Sequence, residues 1–357
     1  MSWKRDLAEI AVLCAHLAAP ANSSPPIKPS SIFVLRNNDI GDLLVITPLF
    51  QALHELFPEA EIVAGIGDWN RDVLELNPYV SKVISVNAPW HNQVIVNQTP
   101  QDALSYILFS EESQRLKELR FDIGIDVVGS HFGSLLLINA GIPFRLGVHG
   151  YAGGHTGVQA YVEYNHHEHV GKSALRFAEL LGATKLPPVK PQIFLRQSEL
   201  ADAGKLWTPG LKHVLIGPGG GFATKCWSPY NYVSLVSELS KQPGVEIIIA
   251  GGLKEKAFGE TLRDQGTSVR NVAGSLSLRQ SFALTALSDV VICNSSMLMH
   301  AAAAFDIPHV VTLGEYFSSA EQHMDQWGYP GLSHCFTQTK EVLDTTKGLI
   351  SRGGRQA

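Results

Sequence analysis

At 357 residues the chain is too long for one ordinary hydrophobic core and comfortable for two domains of typical size. Hydrophobic residues make up 45% of it and charged residues 17%, with mean hydropathy near zero, which excludes a disordered polymer and marks a folded α/β protein. The formal charge of −5 provides no global basic field for nucleic acid, so any anionic ligand must be met by local groups.

The opening MSWKR, followed by DLAEIAVLCAHLAAPA, imitates a secretion signal. Asp6 and Glu9 interrupt its apolar run, however, and the run is too short to span a bilayer. Residues 5–18 instead read as an amphipathic helix with Leu7, Ile10, Leu13, Cys14 and Leu17 on one face. Such a helix docks on the protein or touches a membrane surface, and docking is the preferred reading. The Pro/Ser-rich PANSSPPIKPS completes an N-terminal helix and linker, residues 1–30.

The run SIFVL predicts a buried parallel strand. After the loop RNNDIGD, the residues Leu43, Ile46, Phe50, Leu53 and Phe57 recur at helical spacing, with Pro48 near the start or at a kink. EIVAGI, KVISVN and FDIGIDVVG predict further strands, separated by helices around 70–77 and 101–119. The three prolines of GATKLPPVKPQ, residues 182–192, mark a boundary that closes a first domain of residues 31–190.

A second series begins at His213: strands HVLIGPG, VEIIIAGG, DVVICNS and HVVTLGE alternate with helices in SPYNYVSLVSELS, LSLRQSFALTALS and 296–305. This gives a second domain of residues 191–335. Residues 336–357 form a C-terminal helix and tail, the helix at 339–350 being expected to cross back to the first domain. Strands alternating with helices imply parallel sheets, hence two Rossmann-like domains facing each other across a cleft.

Ligands in such sheets bind beyond the carboxyl ends of the strands, where four loops stand out. Asn37-Asn38-Asp39-Ile40-Gly41-Asp42 places Asp42 either as a general base or as a helix cap, two readings of equal weight. Pro218 to Lys225, PGGGFATK, presents backbone N–H groups, the Thr224 hydroxyl and the Lys225 cation to a diphosphate, although it is neither GxGxxG nor a Walker A loop. In Ala250–Glu255, Glu255 suits a ribose hydroxyl or is a surface charge. In Cys293–His300, Asn294, Ser295 and Ser296 lead into a helix start. Met297 and Met299 read as packing, and His300 as a structural histidine.

The cluster Asn165-His166-His167-Glu168-His169 lacks a regular ligand pattern and reads as a solvated loop. Arg145 meets an acidic acceptor group or braces the domain, with neither reading favoured. The four cysteines, Cys14, Cys226, Cys293 and Cys335, are far apart and without a CxxC pair, as reduced thiols in a cytoplasmic protein would be.

FVLRNNDIGDLLVITPLFQALHELFPEAEI, FDIGIDVVGSHFGSLLLINAGIPFRLG, GPGGGFATKCWSPYNY and NVAGSLSLRQSFALTALSDVVICNSSMLMHAAAAFDIPHVVTLG occur in that order over residues 31–330. Together they resemble glycosyltransferase family 9, the ADP-heptose:lipopolysaccharide heptosyltransferases. The resemblance implies a GT-B fold with an acceptor-side first domain and a nucleotide-sugar-binding second domain. It also implies an inverting transfer of heptose from ADP-heptose to a lipopolysaccharide inner-core acceptor, with no cofactor and no metal.

By the same resemblance Asp42 is the base, Lys225 lies near the donor phosphates, Glu255 falls about where the adenosine ribose is held, and Asn294, Ser296, Met299 and His300 match the last motif element. With these, Thr224, Ser295 and Ser296 are candidates for the donor diphosphate, Gly219 for the nucleotide's ribose or base, and Asn38, Arg145, Met299 and His300 for sugar or acceptor. The expected partners are a nucleotide sugar and a lipid-linked or other saccharide, with no nucleic acid. The expected location is cytoplasmic, in peripheral contact with the inner face of the inner membrane or free of it. Ser295, Met297 and Leu298 replace the family's Asp, Gly and Pro, and Glu315 follows VVTLG in place of its small turn. These departures leave open another donor sugar, a protein or metabolite acceptor, or a non-catalytic nucleotide-sugar binder or epimerase of the same shape.

Overall fold

The computed structural model describes residues 3–352. Met1, Ser2 and residues 353–357 of the expected tail lie outside the described residues. The chain divides into two compact units, one up to Val189 and one from Lys190.

The first unit runs α1 (Trp3–Ala18), β1 (Ser31–Leu35), α2 (Ile40–Val45), α3 (Thr47–Leu56), β2 (Glu61–Ile66), α4 (Arg71–Leu74), β3 (Lys82–Ser85), α5 (Pro100–Phe109) and α6 (Glu111–Leu119). It continues through β4 (Ile123–Asp126), α7 (His131–Asn139), β5 (Phe144–His149), β6 (Ala160–Glu163) and α8 (Val170–Leu180). All six strands are parallel, in the order β3-β2-β1-β4-β5-β6. Ile32, Phe33, Val34 and Leu35 of β1 are all fully buried, because crossover helices cover both faces of a parallel sheet and leave no polar alternation. Gly65, paired beside β1, leaves room for the Phe33 ring, whose Cζ would lie 2.3 Å from a Cβ there.

The expected helix after β1 is two helices. The chain turns at Ile46 and restarts with Pro48 in the first turn of α3, since proline donates no N–H and is best placed there. The 101–119 helix likewise breaks at Ser110, whose hydroxyl caps α6 by accepting from Ser113 N–H.

α1 docks, but not by the face that periodicity selects. Its buried residue is Val12, packed where a Cβ on Gly157 would lie 2.7 Å from Val12 Cγ1. Glu9 Oε1 accepts from Gly154 N–H at 2.6 Å and Oε2 from the Thr156 hydroxyl at 2.7 Å. Burial works against the Glu9 carboxylate, but those bonds and the nearby His131 and His155 hold its pKa below the ordinary value. Leu7, Ile10, Leu13, Cys14 and Leu17 are exposed.

The second unit comprises α9 (Gln197–Gly204), β7 (Lys212–Gly217), α10 (Pro229–Leu239), β8 (Val245–Ile249), α11 (Lys256–Arg263), β9 (Val269–Asn271), α12 (Leu278–Ala286) and β10 (Val290–Asn294). α13 (Met297–Ala304), β11 (His309–Thr312), α14 (Ala320–Trp327), β12 (Ser333–Phe336) and α15 (Thr339–Ser351) complete it. Its parallel sheet has the order β12-β11-β10-β7-β8-β9. Leu215, Ile248, Val291 and Val311 face one core layer, and Val214, Ile216, Ile247, Ile292 and Val310 the other.

α15 packs its apolar face within this unit. Val342 is fully buried in this second core, where Leu343, Leu349 and Ile350 join it, and the helix packs on α10 and the β10–β12 edge. In each unit the winding reverses once, between β1 and β4 and between β7 and β10. These are the points where doubly wound sheets open to ligands.

Candidate active site

In the first unit, β1 delivers Arg36, Asn37 and Asn38 to its switch point. Asp42 lies in the first turn of α2, one turn beyond the N-cap position, which Asp39 holds. The cap reading of Asp42 is thereby set aside. Its Oδ1 is 3.3 Å from Arg36 Nη2, while Arg36 Nε donates to its backbone oxygen at 3.1 Å. Arg36 is 7% exposed and Asp42 31%, so a buried cation orients a carboxylate that still reaches solvent.

Asn37 Nδ2 donates to Trp90 O at 2.9 Å, and Asn38 Nδ2 to His91 O at 2.8 Å. Asn38 O accepts from Trp69 Nε1 and Asn70 Nδ2. The asparagines thus fasten the β1 loop to the segment after β3. Their Oδ1 atoms are buried without a hydrogen-bond partner among the described residues.

On the other side of the switch point, Asp126 ends β4. It is buried, accepting from Ser130 N–H at 2.8 Å and Val128 N–H at 3.1 Å. Burial pushes its carboxyl pKa up, opposed by those N–H groups and by the nearby His91. The His91 imidazole is itself pulled down by burial. Neither Arg36, Asp126 nor His91 was selected from sequence. Arg36 stood one residue past a strand end, a signal that was there to be used.

Arg145 is corrected. It is fully buried, donating to Gly157 O at 2.9 Å, to Pro20 O at 3.0 Å and to Ile142 O at 2.5 Å, with His16 Nδ1 2.8 Å from its Nη2. It braces the N-terminal segment and has no open face for an acceptor. The histidine cluster also serves structure: His169 caps α8 by accepting from Gly171 N–H, and Glu168 faces Lys172 and Arg176. Among the described residues no group of three His, Cys, Asp or Glu side chains is arranged to hold a metal.

In the second unit, the glycine-rich loop after β7 and the turn after β10 meet at the switch point. Asn294, fully buried at the end of β10, ties them together. Its Nδ2 donates to Pro218 O at 2.6 Å and Gly219 O at 3.2 Å, and its Oδ1 accepts from Trp227 N–H at 2.8 Å. The Tyr232 and Thr312 hydroxyls, each 3.0 Å from Oδ1, complete the node.

Thr224 and Lys225 form a short 3-10 turn. The loop after β11 clasps it, Gly314 N–H donating to Lys225 O and Tyr316 N–H to Thr224 O. A side chain on Gly314 would lie 2.4 Å from Thr224 O, so this position requires glycine. Lys225 Nζ sits 5.0 Å from the Phe222 ring, 5.3 Å from Tyr316 and 5.9 Å from Phe317, an aromatic surround that holds a cation without neutralising it.

Ser296 caps α13. Ser295 Oγ lies 2.9 Å from Nε2 of His323, a buried α14 residue that sequence reading missed. Burial and then the Lys225 charge pull the His323 pKa down to about 3, so the ring is neutral. Gly219 and Glu255 are in contact: a Cβ on Gly219 would lie 2.7 Å from Glu255 Cδ, while Glu255 Oε2 accepts from Gly252 N–H.

Met299 and His300 are corrected as sugar or acceptor contacts. Met299 is fully buried in the core, and His300 is buried with its Nδ1 2.5 Å from the Tyr329 hydroxyl. Helical phase turns both inward from the switch point.

The chain matches the family model described as glycosyltransferase family 9 (heptosyltransferase) over residues 111–329. It is 25% identical over 305 residues to lipopolysaccharide heptosyltransferase 2 of Escherichia coli K12, covering 79% of this chain and 82% of that protein. Among solved structures it resembles E. coli ADP-heptose lps heptosyltransferase II, at a TM-score of 0.72 and 21% identity, covering 90% of this chain and 99% of that one. E. coli heptosyltransferase WaaC with ADP superposes at a TM-score of 0.68 with 15% identity, over 90% and 99% of the two chains. Two parallel six-stranded sheets and these likenesses define a GT-B fold.

Proposed function

Starting from the family match, which covers more than half of the chain and makes it a member of glycosyltransferase family 9 and a glycosyltransferase, we propose that it moves a heptose from ADP-heptose to a lipopolysaccharide inner-core acceptor, with inversion and with Asp42 as general base. The observation that carries this reading is the Asp42 carboxylate: it is partly exposed at the switch point of its sheet, oriented by Arg36, and not consumed as a helix cap. The names of the relatives, which transfer heptose to lipopolysaccharide, support the choice of substrates.

Asp42 takes the proton of an acceptor hydroxyl as that oxygen attacks the anomeric carbon, and the bond to the nucleotide diphosphate breaks on the opposite face. Positive charge spreads over the sugar, and negative charge gathers on the departing ADP. Lys225, the Thr224 hydroxyl and the N–H groups at Ser295 and Ser296 meet that negative charge, so the step calls for neither a divalent metal nor a cofactor. Gly219 and Glu255 hold the ribose side, and Asn38 offers its unsatisfied Oδ1 to a hydroxyl. The reaction is placed in the cytoplasm, on a lipid-linked acceptor.

One observation favours a second donor. The neutral Ser295–His323 pair stands where the resemblance leads one to expect a carboxylate against the donor sugar, so a nucleotide sugar with a different hydroxyl pattern is the alternative substrate. Purified protein offered ADP-heptose and other nucleotide sugars, with and without an inner-core saccharide, tests both. Acceptor-dependent ADP release supports transfer, whereas binding without turnover would leave a nucleotide-sugar binder. In Asp42→Asn, turnover should fall by about a hundredfold or more with ADP affinity nearly intact; undiminished turnover would end the general-base assignment.

A further inference from the structure

The second unit carries a pair of exposed aromatic rings that the transfer steps do not use. Phe222 lies in the glycine-rich loop after β7 and Tyr316 in the loop after β11, and their rings meet edge to face at 4.8 Å. Phe222 is 37% exposed and Tyr316 57%. Behind them the contacts continue inward. Tyr316 meets Phe317 at 5.1 Å, and Phe317 meets the buried His323 at 4.8 Å, both nearly perpendicular. Phe317 also packs against the core layer of Leu215, Ile248, Val291 and Val311. The row of rings therefore has an anchored inner end, beside Ser295, and a bare outer end.

Surrounding Lys225 accounts for only part of this arrangement. A ring that does no more than flank a cation gains from having its remaining surface covered, as much of the Phe317 surface is. Phe222 and Tyr316 leave theirs to water, and they do so directly beside the Lys225 ammonium. Their backbone is also fixed. Tyr316 N–H donates to Thr224 O at 3.0 Å, and Phe222 O accepts from Lys225 N–H at 3.1 Å. The pair is preorganised, so a ligand that covers it meets little ordering cost.

The strand order identifies the occupant. Along the carboxyl edge of the sheet the neighbours run β11, β10, β7, β8. Glu255, proposed for the ribose, follows β8 and lies against Gly219 after β7. Lys225, Ser295 and Ser296, proposed for the diphosphate, follow β7 and β10. Tyr316 follows β11, across the diphosphate groups from Glu255. A nucleotide sugar laid along this edge with its ribose at Glu255 carries its base away from the rings and its sugar toward them. A sugar ring presents C–H bonds on its faces and hydroxyls at its rim, so an aromatic ring suits its face and polar groups such as Ser295 suit its rim. Resting on the nucleotide-sugar reading of this site, we infer that Phe222 and Tyr316 are specificity-determining residues for the donor: their exposed rings stack on the carbon face of its glycosyl group while its diphosphate meets Lys225.

Calorimetric titration of the full chain with ADP and with ADP-heptose, without acceptor, separates the contribution of the sugar from that of the nucleotide. In Tyr316→Ala the affinity for ADP-heptose should fall about fivefold to tenfold, and that for ADP by less than about twofold, because Phe222 and Phe317 still flank Lys225. Phe222→Ala should act in the same direction, whereas Tyr316→Phe, which keeps the ring, should bind both ligands as the parent protein does. An equal loss for both ligands in Tyr316→Ala would show the ring acting through Lys225 or on the base, and would overturn the inference. Unchanged affinity for ADP-heptose in both alanine variants would overturn it as well. A parent protein that binds ADP but not ADP-heptose leaves the rings without this occupant, and the inference falls with the heptose donor. One that binds neither removes the nucleotide-sugar reading itself, and the inference with it.

Discussion

Asn294 ties together the two loops at the switch point of the second unit, and Asn294→Ala tests whether stability and nucleotide binding fall together there. Five hydrogen bonds converge on this one fully buried amide. Two partners lose little: the Tyr232 and Thr312 hydroxyls are already 2.8 Å apart and keep one another. Three are stranded, namely the Trp227 N–H and the carbonyls of Pro218 and Gly219. A buried unsatisfied donor costs about 1–3 kcal/mol, and the second-best carbonyl, at 3.2 Å, is the easiest for water to reach. Adding about 1 kcal/mol for the space left by the side chain, the total is about 3–5 kcal/mol. For a unit of this size that lowers its unfolding midpoint by about 10 °C. Differential scanning calorimetry resolves the transition, and an ADP titration at a temperature where the variant remains folded reads the loop, whose affinity should fall with it. A midpoint within 2 °C of the parent protein, or unchanged ADP affinity, would show that the node does not hold the glycine-rich loop.

Lys225→Met removes the cation while keeping a chain that fits among Phe222, Tyr316 and Phe317, so ADP should bind about tenfold more weakly; calorimetric titration decides it, and an unchanged affinity would place the lysine away from the diphosphate. Glu199 bonds Arg279 at 2.5 and 2.6 Å, which lowers its pKa from 4.5 to about 2. Its stabilisation is therefore fully present above pH 4.5 and lost as the pH falls through 2. Melting curves of Glu199→Gln should lie below those of the parent at pH 6 and converge with them as the pH is lowered; a gap independent of pH would refute the ion pair as its source.

Much of this fold was legible because the signals are local. Short apolar runs such as SIFVL and VEIII can bury both faces only in a parallel sheet, and the periodic stretches between them can only be crossovers. Asp42 and Lys225 were found for the same reason: each lies in the stretch that leads from a strand end to the next helix. β5, by contrast, is interrupted by Arg145 and Gly147, and β6 has only four residues, so no periodicity marked them.

The remainder depended on residues distant in the chain. Arg145 reads alike as a ligand contact or a brace until Pro20, His16 and Gly157 are seen around it. His323 gained its place beside Ser295 through a contact across 28 residues, which no motif records. α1 shows the difference most plainly. Its sequence determined that a helix forms and which side chains share its apolar face, since both follow from the 3.6-residue repeat. Which face meets the protein was decided by Glu9, Val12 and His16 finding partners in the folded unit, because periodicity specifies what a face is made of and only tertiary structure supplies the surface it meets.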